Sequence, residues 1–345
     1  MAESECLAEV GRAVAGPVLA VENLVVEFGL RGGSVRAVDG ASWSVARGET
    51  LAILGESGSG KSVTAQAIMG ILESPPARIV QGSIHYRGED LLLLGEKRRR
   101  AYRGKAISMV FQDALSALDP VFPVGWQIAE NFRVHLGLSR GEAMRRAIDV
   151  LDRVRIPAAA RRARDYPHEF SGGMRQRAMI AMAIALEPDV LIADEPTTAL
   201  DVTVQAQIMD LLAELQRETQ MGLVLITHDL GVVAEVANRV VVMYGGRVVE
   251  TSDARSLYRG PAHPYTRGLL AAIPRLESNG ERLRAIPGAP PSLLQLPSGC
   301  AFHPRCQRAR SPVCDSMRPL LQPVAPGRES ACHFALEVVH EPLGS

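Results

Sequence analysis

The chain has 345 residues, 47% of them hydrophobic, and its acids and bases balance at 38 each. That balance offers no global field for nucleic acid or an acidic membrane, and the length fits one large domain with a smaller appendage. Apolar runs such as 190–193 and 223–226 are strand-length, and none in the sequence is long enough to cross a bilayer.

Residues 1–17 read as a disordered tail, with Glu3, Glu5 and Glu9 where a secretory signal would carry basic residues. The chain is therefore expected to stay in the cytoplasm and to reach a membrane only through a partner. Residues 18–28 alternate apolar and polar like an edge strand, Gly32-Gly33 makes a turn, and 41–45 reads as the returning strand. Residues 51–54 predict a short buried strand, followed by a glycine loop and a helix from Ser62 to about Leu72 that Pro75-Pro76 ends.

From Gln112 to about Pro167 the spacing turns helical, most clearly over 126–136 and 141–154. Strand–helix alternation resumes with strands near 190–194, 223–227 and 240–243, the last followed by a Gly245-Gly246 turn. This predicts a parallel α/β core interrupted by a helical insertion. A break at 258–261 opens a region rich in Pro, Arg and Gly, with little apolar content for a core of its own.

Gly55, Glu56, Ser57, Gly58, Ser59, Gly60, Lys61 and Ser62 complete the pattern G-x-x-x-x-G-K-S between a strand and a helix. Glycines let the backbone wrap phosphates, and the helix start adds about half a positive charge. Lys61 would bridge the outer two phosphates of ATP, and the Ser62 hydroxyl would ligate Mg²⁺. Lysine otherwise occurs only at Lys97 and Lys105, so this one stands where a slim ammonium is required. The apolar run 190–193 ends in Asp194 and Glu195. Asp194 is placed to reach Mg²⁺, and Glu195 to polarise an attacking water. Ser171, Gly172 and Gly173 precede a helix-forming run, so several backbone N–H groups are free for an anion such as a terminal phosphate. Two phosphate-binding elements in one chain point to a dimer that shares each nucleotide.

This pairing resembles the ABC ATPase superfamily over residues 18–258. Met174, in Ser-Gly-Gly-Met, and the run 125–128 resemble the oligopeptide/dipeptide (and related nickel) importer ATPases. The resemblance implies a P-loop NTPase (RecA-like) α/β core with an antiparallel β edge, a helical insertion at about 112–175, and a small Cys-rich extension over 259–345. It makes Gln112 the glutamine that contacts Mg²⁺ and water, and His228 the switch histidine at the γ-phosphate. Phe28 takes the place of the ring against adenine, and 197–201, ending at Asp201, that of the loop crossing the dimer seam. The implied function is ATP hydrolysis by a subunit of a bacterial importer of di- or oligopeptides, peripheral on the cytoplasmic face of the inner membrane. Its implied partners are a second, related ATPase chain, two polytopic permease subunits and, indirectly, an extracytoplasmic solute-binding protein. Residues 113–130 are the candidate docking surface, though Leu115, Leu118, Val121, Phe122 and Trp126 suit internal packing equally.

Of five cysteines, Cys6 lies in the tail, and Cys300, Cys306, Cys314 and Cys332 cluster late in the chain. In a reducing compartment such a cluster favours a metal over disulfides, though no pair has the C-x-x-C spacing of common zinc sites. A metal would supply free energy that this Pro- and Arg-rich segment lacks. The resemblance implies an iron–sulfur cluster of the 4Fe–4S type, with Zn²⁺ or unligated thiols as alternatives. His303 and His333 are left out of the ligand set, because the cysteines already number four. The rival readings are a soluble ABC ATPase with a redox-sensing iron–sulfur module, and one acting on DNA or the ribosome. The latter would need a long coiled coil or a second ATPase unit, and neither pattern is present in the sequence.

Overall fold

A computed structural model describes residues 16–198, 200–272 and 286–341. The expectations for residues 1–15 and Cys6 lie outside these, as does the side chain of Leu115. Strands β1 (Leu19–Leu30) and β2 (Gly33–Val45) form an antiparallel hairpin. The return strand is thus far longer than 41–45. β3 (Thr50–Leu54) is buried throughout and leads to α1 (Lys61–Met69). That helix stops short of Leu72, because Gly70 at φ 61° caps it before the prolines are reached.

Residues 77–90, silent in the sequence pattern, form β4 (Ala77–Tyr86) and β5 (Glu89–Asp90), giving a four-stranded sheet ordered β2-β1-β4-β5. β1 is therefore an interior strand, which corrects the edge reading. One buried face yields the same alternation in an interior antiparallel strand as at an edge.

After α2 (Glu96–Tyr102) comes β6 (Ile107–Val110), and then the helical insertion: α3 (Ala114–Ala117), α4 (Val124–Leu136), α5 (Arg140–Arg153), α6 (Ala159–Arg162) and α7 (Gly172–Ile184). Gly137 at φ 67° ends α4, and Ser139 with Glu142 forms a capping box that starts α5. Ala143, Ala147 and Leu151, four apart on α5, meet Ile128 and Phe132 of α4 in one buried cluster.

The chain re-enters the core through β7 (Val190–Asp194), α8 (Val202–Thr219), β8 (Gly222–Ile226), α9 (Leu230–Val236), β9 (Arg239–Tyr244) and β10 (Arg247–Asp253). Strands β9-β3-β8-β7-β6 are parallel neighbours. Both faces are covered, so these strands read as unbroken apolar runs.

Beyond α10 (Ala254–Arg259) and α11 (Pro264–Ala271), the C-terminal region carries β11 (Gln322–Ala325) and β12 (Arg328–Ser330), with short helices α12 (Val313–Ser316) and α13 (Ala335–Val339). β12 pairs with β10, bringing the large sheet to eight strands. The region needs no separate core. Tyr265, Leu270, Ala301 and Phe302 pack with Leu54, Tyr244, Val249 and Leu257 in one cluster. Glu250 of β10, fully buried, accepts hydrogen bonds from the Ala262 (2.7 Å) and His263 (3.0 Å) amides.

Candidate nucleotide site

Loop 55–62 joins the carboxyl end of β3 to α1, where parallel α/β sheets place ligands. Two of its glycines are required by close approach. A Cβ at Gly55 (φ +152°) would lie 2.3 Å from the Met243 carbonyl, and one at Gly60 (φ +100°) 2.5 Å from that of Ala37. Ser57 and Gly58 form the exposed tip, while Ser59 is buried. The Lys61 ammonium, 5% exposed, donates to the carbonyls of Gly55 (2.7 Å) and Glu56 (3.0 Å). Burial lowers its pKa, and the carboxylates of Glu195, Asp194 and Glu56 oppose that fall.

Ser62 Oγ donates to Asp194 Oδ1 across 3.1 Å, joining the start of α1 to the end of β7. Burial raises the Asp194 pKa, and this bond works against the rise. A hydroxyl and a carboxylate side by side offer the oxygen ligands that Mg²⁺ prefers, so the pair fits that ion. Glu195 follows at φ 46°, a conformation that costs a non-glycine residue about 1 kcal/mol or more. Its amide, bonded to the Ile226 carbonyl at 2.8 Å, holds it there.

Its carboxylate is a meeting point. Oε2 accepts from Gln112 Nε2 (3.1 Å) and Thr198 Oγ1 (2.9 Å), and Oε1 lies 3.5 Å from His228 Nδ1. The strand ends of β6, β7 and β8 thus bring Gln112, Asp194, Glu195 and His228 together with Lys61 and Ser62. The contact of Thr198 with Glu195 had no separate signal in the sequence.

Ser171, Gly172, Gly173 and Asp201 form a second group. Ser171 caps α7 by accepting from the Met174 amide at 3.4 Å, and Asp201 caps α8 through the Val204 amide at 3.0 Å. A Cβ at Gly173 would meet Val204 Cγ1 at 2.7 Å, so the two helix starts abut. Among the described residues no hydrogen bond or ion pair joins this group to loop 55–62. Phe28 sits half-buried on β1, in register with Val35 and Ala77, one face against the core.

Two partners of the loop were missed. Tyr265 Oη accepts from the Glu56 amide (2.8 Å), and Arg305 donates both guanidinium nitrogens to the Glu56 carboxylate (2.6 and 3.0 Å). Arg305 lies 249 residues away, so spacing gives no warning of it.

Cys300, Cys306, Cys314 and Cys332 are free thiols lining one cavity of about 30 Å³. Burial pushes the Cys300 and Cys306 pKa values up and that of Cys332 up to about 12. Backbone amides of Arg308, Arg310 and Phe334 point at the sulfurs of Cys306, Cys314 and Cys332 at 3.3–3.4 Å. His303 and His333 are engaged by the Cys300 and Met317 carbonyls. Among the described residues, no three His, Cys, Asp or Glu side chains are gathered to hold a metal ion. The expected metal centre, iron–sulfur or zinc, thus has no support in the structure beyond a shared cavity.

Of the docking candidates, Leu118 is buried (2% exposed) and is internal packing, whereas Val121, Phe122 and Trp126 are exposed. The rings of Phe122 and Trp126 stack at 4.3 Å.

Residues 38–198 match the family described as ABC transporter, and residues 249–314 the family described as oligopeptide/dipeptide transporter, C-terminal region. The chain is 49% identical over 325 residues to the dipeptide transport ATP-binding protein DppD of Escherichia coli, covering 94% of this chain and 99% of that protein. The chain belongs to the oligopeptide/dipeptide group of ABC transporter ATP-binding proteins. Another member, the dipeptide transport ATP-binding protein DppD of Bacillus subtilis, is 51% identical over 302 residues, 88% of this chain and 90% of that protein. A bacterial ABC transporter cassette solved as a dimer matches with a TM-score of 0.62 at 26% identity, covering 69% of this chain and 99% of that one. As an ABC transporter ATP-binding protein the chain is an ATPase. Among its described residues no helix is long and apolar enough to cross a membrane.

Proposed function

We propose that this ATPase powers uptake of di- or oligopeptides through a membrane permease, as a peripheral subunit on the cytoplasmic face. The observation that carries the chemistry is the Glu195 carboxylate, held by Gln112 and Thr198 one residue beyond Asp194. Glu195 takes the proton of the attacking water, Gln112 orients that water, and His228 contacts the γ-phosphate. Gly55, Glu56, Ser57, Gly58, Ser59, Gly60 and Lys61 cradle the phosphates, and Phe28 stacks on adenine. Ser62 and Asp194, with Gln112 nearby, would hold Mg²⁺, which when bound neutralises charge on the phosphates.

Ser171, Gly172, Gly173 and Asp201 face the nucleotide of a second ATPase, a related chain rather than an identical one. Their grouping away from loop 55–62 within one chain supports this division. The cassette spans 18–258, with its insertion over 112–175, and the extension 259–345. Two polytopic permease subunits would dock on Val121, Phe122 and Trp126, with a solute-binding protein beyond them. Purification of the native complex from membranes, followed by mass spectrometry, tests the assignment. Recovery without polytopic membrane proteins would refute it.

The shared cavity is the ground for one finer assignment, that its four thiols bind a 4Fe–4S cluster, with zinc the alternative. Anaerobically purified protein would then contain iron and sulfide. Metal-free protein in which all five cysteines titrate, these four and Cys6, would end both versions.

A further inference from the structure

The phosphate loop is not held by the cassette alone. Two of the polar groups that fix Glu56, its amide and its carboxylate, are taken by residues of the C-terminal region. Tyr265 Oη accepts from the amide, and Arg305 grips the carboxylate in a two-pronged pair. The Glu56 carbonyl in turn accepts from Lys61 Nζ at 3.0 Å.

Arg305 is itself fully engaged. Its side chain is 7% exposed, its Nε donates to the Pro287 carbonyl at 2.9 Å, and its Nη1 also reaches Tyr244 Oη at 3.3 Å. The guanidinium lies about 6 Å from the ring centres of Tyr244 and Phe302. Removing either member of such a buried pair leaves the other charge without its partner, so the pair has only one good arrangement. Arg305 also ends the tight turn His303–Arg305, which the Cys300 carbonyl starts and Cys306 closes. Cys300 and Cys306 both line the thiol cavity. A continuous path of short contacts therefore runs from that cavity through Arg305 and Glu56 to Lys61.

We propose that Arg305 is a positioning residue for the phosphate loop, and that through it the cysteine-lined cavity and the nucleotide site are coupled. Clamping Glu56 fixes the backbone between Gly55 and Lys61 before ATP arrives, so less order has to be imposed on binding. A lysine could supply the charge but not the paired donors. Coupling of this kind is reciprocal: ATP must steady the 300–306 turn as much as the turn favours ATP. The inference rests on loop 55–62 being the phosphate site.

The test uses the full-length protein and equilibrium binding of Mg-ATP. Arg305→Met and Glu56→Gln should each weaken binding roughly tenfold, within the usual range for coupled sites. Arg305→Lys should fall between wild type and Arg305→Met. The double variant should lose no more than either single one, because both remove the same contact. Hydrogen exchange over 300–306 should slow on adding Mg-ATP in the wild type and not in Glu56→Gln. Losses that multiply in the double variant, or unchanged affinity in Glu56→Gln with exchange at 300–306 still responding to ATP, would overturn the clamp. Should Arg305→Met fail to fold, Glu56→Gln, nearly isosteric and at the less buried end of the pair (24% against 7% exposed), decides the matter by the same two readouts. Lys61→Ala separates the underlying reading: ATP binding that survives that change would remove the phosphate site itself, whatever Arg305 does.

Discussion

On the role proposed for Glu195, Glu195→Gln should stop turnover while sparing the fold and ATP binding. The amide replaces the carboxylate atom for atom. Its oxygen can occupy the Oε2 position, where Gln112 Nε2 and Thr198 Oγ1 donate at 3.1 and 2.9 Å. Its nitrogen then faces His228 Nδ1, 3.5 Å from Oε1. No donor is orphaned, so stability should change by no more than about 0.5 kcal/mol. What disappears is the basic oxygen. Loss of a positioned base lowers turnover about 10²- to 10⁴-fold, or roughly 3–5 kcal/mol on the barrier. Steady-state phosphate release by the purified complex, set beside equilibrium ATP binding and a denaturation curve, measures all three quantities. Turnover within threefold of wild type would remove Glu195 from the proton path.

Other changes probe the remaining parts. Gly60→Ala places a Cβ 2.5 Å from the Ala37 carbonyl at φ +100°, so ATP binding should be lost along with about 1–3 kcal/mol of stability in a urea titration. Gly172→Asp is different, since a Cβ there meets only Leu200 Cδ2 at 3.5 Å. It should fold normally yet silence the site at the partner's phosphate loop, so joining it with Lys61→Ala in the same chain should remove the hydrolysis that either change alone leaves. If the double variant loses no more than Lys61→Ala alone, the two groups do not act across a dimer. Ser139→Ala removes the cap of α5 and should lower stability by about 1 kcal/mol without changing ATP binding.

What could be read in the sequence was what local chemistry fixes. Loop 55–62 and the pair Asp194-Glu195 lie on short segments whose type and spacing leave few alternatives, and α4 and α5 show their buried faces as repeating apolar residues. The stop of α1 was misplaced because Gly70 acts before two more conspicuous prolines. β4 escaped notice because the exposed run 80–82, with Gly82 near the middle, splits its alternation into two short arms. Non-local facts were out of reach. Nothing in the spacing of Arg305 points to Glu56, and nothing in the C-terminal composition says that β12 joins β10. The cysteines were recognisable as a group, and they do share a cavity, but spacing could not say how closely their sulfurs would gather.

The pairing of β10 with β12 bears on how the chain is made. Glu250 in β10 is opposite Ser330 in β12, eighty residues later. At about 5–20 residues per second, β10 leaves the ribosome roughly 4–16 s before its neighbour exists. For that interval the sheet has a bare flank whose amides and carbonyls can accept any passing strand. Glu250 meanwhile lacks the amides of Ala262 and His263 until that stretch has also emerged and folded back. Once β12 docks, the flank is covered and the carboxylate is sealed from water. The hazard of sticking to other chains therefore belongs to the seconds of synthesis, and a chain cut short before Ser330 would carry it permanently.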